Sequence, residues 1–147
     1  MLPGRMRAMR VLRFAVAGIV LAGLLSGCGS RPVGDLRVGE CFNLTDATGE
    51  VTAVAVVDCA KPHGAEVFAT FDVALDTFDS DAMAAAVDDH CLTSIEAYIG
   101  YPYSAAKFYY RAFMPGADGW KKGARTAVCF VVPNEGTLTG TVKKSEG

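Results

Sequence analysis

The chain has 147 residues, 51% hydrophobic and 20% charged, with a formal net charge of −2. That length suits one domain with a leader and leaves little room for two domains. Without residues 1–27, which hold four of the fourteen basic side chains and none of the sixteen acidic ones, the charge falls to −6, which argues against nucleic acid or anionic headgroups as partners.

Residues 1–27 read as a signal peptide. Arg5, Arg7, Arg10 and Arg13 precede an apolar run, FAVAGIVLAGLL, and a small-residue exit. Twelve apolar residues are too few to span a bilayer, which needs about 20. Met6 and Met9 offer later starts, although Met9 leaves only Arg10 and Arg13 in the basic region. The exit, LSGC, resembles a bacterial lipobox. That resemblance implies that Cys28 is lipidated with a thioether-linked diacylglyceryl group, its chains of the palmitate class. Residues 28–35 then form the anchor and a short Gly/Pro linker, 36–142 the domain, and 143–147 a frayed tail. The expected location is the extracytoplasmic face of the membrane, anchored and not spanning.

Four cysteines remain after Cys28, and an even number in an exported domain of this size reads as two disulfides. Of the three possible pairings, Cys41–Cys59 and Cys91–Cys129 are favoured. CFNL and TAVAVVDC flank a turn-like DATGE, so a hairpin brings Cys41 to Cys59. The second pair staples a helix to a late strand.

In chain order, Thr52 to Asp58 is β-branched and apolar, a buried strand. KPHG breaks it, and Ala65 to Val73 follows with Val67, Ala69, Phe71 and Val73 on one alternating face. These two segments are predicted to be neighbouring strands joined at the PHG turn. Asp79, Ser80 and Asp81 offer helix caps. Met83, Val87, Cys91, Ile95 and Ile99 recur every fourth position as an apolar stripe, and Gly100 and Pro102 end it. Lys107 to Met114 and Thr126 to Val132 read as an antiparallel pair around a PGADGW turn. The predicted fold is α+β, a small antiparallel sheet with one main helix on one face, stapled by disulfides.

LRVGECFNL, CAKPHGAEV, WKKGARTAVC and a closing LTGTV together resemble the septum-formation domain of actinobacterial envelope proteins, over roughly residues 36–142. Glu40 stands where aspartate is more usual, and Ala124 where a small or acidic residue precedes the arginine. The resemblance implies an envelope location and a link to division, but no chemistry.

A metal at Cys59, His63, His90 and Cys91 is disfavoured, because adjacent His90 and Cys91 diverge by about 100° on a helix and no CxxC or HxxxH clamp is present. A Cys59–His63 nucleophile needs a free thiolate. Ser80, Ser94 and Ser104 lack a nucleophile-elbow context. No cofactor is expected. His63 with Glu66, and Trp120 with Arg125, are the candidate interaction residues, each with a structural reading beside it: a local turn histidine, and a tryptophan plug beneath an arginine. Tyr98, Tyr101, Tyr103, Phe108, Tyr109 and Tyr110 form an aromatic set, half of which an alternating strand must bury. The expectation is a non-enzymatic, lipid-anchored domain that binds an envelope or division protein or a cell-wall component. The alternatives are an envelope enzyme or thiol-redox or metal-binding protein using Cys59 and His63, and a structural accessory subunit.

Overall fold

A computed structural model describes residues 29–44 and 50–145. The signal peptide, Cys28, most of the DATGE turn and the last two residues lie outside these. Six strands, β1 Ser30–Pro32, β2 Cys41–Asn43, β3 Ala53–Val57, β4 Ala65–Asp72, β5 Phe108–Phe113 and β6 Thr126–Pro133, form one sheet in the order β1-β3-β2-β4-β6-β5. Every pairing is antiparallel. One long helix, α1 (Ser80–Ile99), covers one face, and a single-turn helix, α2 (Ala117–Lys121), replaces the expected PGADGW turn. The α+β class is as expected.

Helix α1 forms where its sequence dictates. The Asp79 carboxylate accepts from the Asp81 and Ala82 N–H groups at 3.0 and 2.8 Å, capping two orphan donors. Met83, Val87, Cys91, Ile95, Tyr98 and Ile99 are buried along one side. Gly100 ends the helix at φ +80, where an L side chain would be strained, and a Cβ there would stand 2.8 Å from Lys144.

Four expectations need correction. First, residues 30–35 are not a free linker. Ser30–Pro32 pairs with β3, Arg31 bonds Glu40 at 2.6 Å, and Leu36 is buried on the helix-free face. Second, β3 and β4 are not neighbours, because β2 lies between them and Cys41 stands opposite both Val57 and Glu66. The chain from Asp58 to Gly64 therefore crosses two strand spacings, about 9.6 Å. Third, a register shift between Val67 and Ala69 breaks the alternation of β4. Val67 turns to the helix-free face while Phe68, Ala69, Phe71 and Val73 face α1. Fourth, the tail is tied down through Lys144, whose N–H donates to Tyr98 O at 2.9 Å.

The sheet thus has two apolar sides. Phe68, Met83, Val87, Cys91, Ile95, Trp120 and Cys129 pack beneath α1. Leu36, Phe42, Val54, Val67, Val128 and Phe130 pack on the opposite face.

Candidate functional site

Both disulfides form as predicted, Cys41–Cys59 with Cα atoms 5.2 Å apart and Cys91–Cys129 at 5.6 Å. The first lies beside the turn Lys61–Gly64. Pro62 and Gly64 bend the chain there, the Gly64 N–H donates to Asn43 Oδ1 and Phe42 O, and His63 makes a two-way backbone bridge with Leu138.

His63 and Glu66 are the two buried polar side chains among the described residues, each with no exposed surface. The His63 Nδ1 lies 2.8 Å from the Lys61 carbonyl. A carbonyl can only accept, so Nδ1 carries a proton. Nε2 is buried with no hydrogen-bond partner among the described residues. Glu66 does not meet His63 by a hydrogen bond. Its Oε1 accepts from the hydroxyls of Tyr98 (2.7 Å) and Thr141 (2.5 Å), and its Oε2 from the Val142 N–H (2.8 Å). Burial first, then the bond to Glu66 and its charge, push the Tyr98 phenol well above the usual tyrosine range.

One donor atom each of Cys41, His63 and Glu66 lies within 4.8 Å of the others. Their chemistry does not suit a metal in this state. The Cys41 sulfur is bonded to Cys59 and is no thiolate, and the Glu66 oxygens already accept from three donors. The set Cys59, His63, His90 and Cys91 is not assembled either. Cys91 is bonded to Cys129, and His90 stacks on Phe71 with ring centroids 3.8 Å apart. Cys59, being disulfide-bonded, is no nucleophile here.

Trp120 and Arg125 do meet, as the structural reading expects. The guanidinium carbon stands 3.5 Å from the ring centroid, and Nη1 donates to the carbonyls of Trp120 (2.9 Å) and Ala124 (2.8 Å). Trp120 itself is only 7% exposed. Neither His63 and Glu66 nor Trp120 offers a surface for recognition, because all three side chains are buried.

The accessible feature lies elsewhere, on the helix-free face. A groove of about 530 Å³ runs between Val33, Leu44 and Val51 on one side and Phe113, Val128 and Phe130 on the other. Phe113 and Phe130 pack at 4.6 Å in its floor, and Glu50, Thr52 and Arg111 supply polar groups. No motif in the sequence marks it. The one usable signal was that β6 is apolar at every position from Ala127 to Val132, so it needs cover on both faces while only one long helix is available.

The family model described as "Septum formation" matches residues 38–146. The chain is 30% identical over 117 residues to "Putative lipoprotein LppN" of Mycobacterium tuberculosis (strain ATCC 25618 / H37Rv), covering 75% of this chain and 63% of that one. It is 28% identical over 116 residues to the protein of the same name in Mycobacterium bovis (strain ATCC BAA-935 / AF2122/97), with the same coverage. The chain thus spans less than two thirds of the length of these relatives. No solved structure matches it significantly. With the family model covering the disulfide frame, the Glu66 cluster and the Trp120 plug alike, the chain belongs to the septum-formation family.

Proposed function

We propose that this protein is a lipid-anchored envelope protein whose domain binds a partner without catalysis on the outer side of the membrane, in a process linked to septum formation. The observation that carries the binding reading is the groove on the helix-free face. It has the size of a ligand or side-chain pocket, an aromatic floor and a few polar groups. Among the residues singled out in the sequence, the described cysteines are committed to disulfides, Glu66 to three donors and Trp120 to a cation–π stack, and His63 is buried.

The family description supports the division link, and the relatives' name supports lipidation at Cys28. Two or more acyl chains hold a protein far more firmly than one, at about 0.8 kcal/mol per buried CH₂. Ser30 follows two residues after that anchor, and the groove begins at Val33, beyond β1. With Cys28 as the anchor, β1 would separate the lipid from the groove along the chain.

Site-specific photo-crosslinking in cells tests the binding reading. A probe at Glu50 or Met114, on the groove rim, is expected to capture a defined envelope partner. The same probe at Leu92, on the outer side of α1, is expected to capture none. Equal capture from both positions, or none from either, removes the groove as the binding surface. Fluorescent localisation tests the division link, for which uniform distribution with normal septa in the deletion strain is the adverse result.

A further inference from the structure

Strand β5 is an edge of the sheet, paired only with β6. The Tyr110 N–H donates to the Tyr103 hydroxyl (3.2 Å) and so turns away from β6. Residues of an antiparallel strand direct both backbone groups to the same side and alternate along the chain. Ala112 therefore also turns its N–H and C=O outward, and among the described residues nothing bonds to them. Proteins commonly blunt such an edge with lysine, proline or a bulge. From Tyr109 to Phe113 this edge has no proline and no register shift, and its one charge is Arg111.

Two grooves flank these same residues. On the helix side, a groove of about 490 Å³ lies between α1 and β5, lined by Ala84, Ala85, Val87 and Cys91, with Asp88 bonded to the Tyr110 hydroxyl at 2.6 Å. The small alanines leave room between helix and strand edge. The groove of about 530 Å³ opens on the other face and also reaches Arg111 to Met114. A seventh strand laid beside β5, about 4.8 Å away, would drop its side chains alternately into the two.

We propose that the β5 edge is a strand-addition site for an extended segment of a partner protein, whose alternate side chains fill the helix-side and helix-free grooves. This rests on the binding function proposed above and names its ligand class. Main-chain bonds to Ala112 supply register, and the two grooves supply side-chain selection. Charge specifies the segment further. Of the four acids on α1, which carries no lysine or arginine, Asp88 lines the helix-side groove, so the segment's position facing Asp88 is basic. The same charges disfavour a second copy of this chain, because antiparallel β5–β5 pairing places two acidic helices on one face of the joined sheet.

The test uses the full-length lipidated protein in detergent micelles and a displayed library of random nonapeptides. Enriched peptides are expected to share one Lys or Arg position among apolar ones, and their binding to slow Ala112 amide exchange at least tenfold. Ala112→Pro removes only an outward N–H, a change that edge strands tolerate. It is expected to weaken binding at least tenfold while the melting temperature stays within a few degrees. N-methylation of alternate amides in the selected peptide, which leaves the protein unaltered, is expected to do the same. No enrichment overturns the proposal. So does binding that survives both changes with Ala112 exchanging at its free rate, although groove capture by the crosslinking probe would then still stand. A dimer abolished by Ala112→Pro overturns it in favour of a second copy.

Discussion

Tyr98, on the last turn of α1, donates its hydroxyl to Glu66 of β4 at 2.7 Å, and the same carboxylate holds the backbone of Val142. One buried acid therefore joins the helix, the sheet and the tail. Removal of the phenol in Tyr98→Phe leaves that carboxylate one donor short in a site without exposed surface. The expected loss is about 1–3 kcal/mol, read from urea unfolding at pH 7.

The raised Tyr98 pKa has a pH consequence. Because the folded state favours the neutral phenol, it binds more protons than the unfolded chain above the ordinary tyrosine pKa of 10, so stability is full below pH 10 and declines above it. Tyr110, pushed up to about 12 first by its bond to Asp88 and then by burial, acts in the same direction. Unfolding free energy is expected to fall between pH 10 and 12, and Tyr98→Phe and Tyr110→Phe to flatten that fall. A profile unchanged in both variants would contradict the assignment.

The tail supplies a third test. Thr141 and Val142 donate to Glu66, Gly140 N–H to Cys59 O, and Leu138 pairs with His63. Truncation after Thr139 strips two of the three donors from Glu66. A loss of about 2–4 kcal/mol is expected, from leaving a buried carboxylate exposed to fewer partners. Truncation after Thr141, which spares its hydroxyl, is expected to cost less, and amide exchange at His63 reports whether the Leu138 bridge survives.

Much of this architecture was legible because local signals decide it. The caps at Asp79 and Gly100, the four-residue stripe of α1 and the β5–β6 pair follow from nearby residues, and the disulfides from an even cysteine count with Cys41 and Cys59 on either side of one turn. Three features were not legible, each for its own reason. The shift at Phe68 puts Val67 on the opposite face from Ala69, yet nothing in AEVFATFDV announces an extra residue. The place of β2 between β3 and β4 is a long-range choice, invisible to periodicity. Ser30–Pro32 is too short and too proline-rich to read as a strand, and forms one through β3 and the Arg31–Glu40 pair. At residues 63, 66 and 120 the residue types suggest exposed contacts, whereas their burial comes from the C-terminal segment and from packing beneath α1, neither of which is local. The grooves beside β5 arise from tertiary spacing, which no single segment encodes.

Arg125 and Trp120 separate a plug from a binding surface. The guanidinium stacks on the indole and donates to two carbonyls, a planar geometry that lysine cannot copy. Arg125→Lys is expected to lower stability by about 1 kcal/mol, and Trp120→Ala by about 3–5 kcal/mol through a cavity in the helix-side core. Binding by the folded fraction is expected to persist in Arg125→Lys. A binding loss without a stability loss would place recognition at this pair after all.

The disulfides decide between a stapled binding domain and a thiol-redox protein. Chain-entropy estimates assign about 3 kcal/mol to Cys41–Cys59 and about 4 kcal/mol to Cys91–Cys129, in line with sequence separations of 18 and 38. Paired alanine substitutions are expected to lower stability in that order, the second more than the first. Native protein is expected to show no reactive thiol at residues 41, 59, 91 or 129, and peptide mapping to recover both pairs. A free, alkylatable Cys59 in folded protein would reverse the conclusion. The Cys41 sulfur, freed with it, would then stand within 4.8 Å of a His63 ring nitrogen, and the redox reading would regain a thiol–imidazole pair.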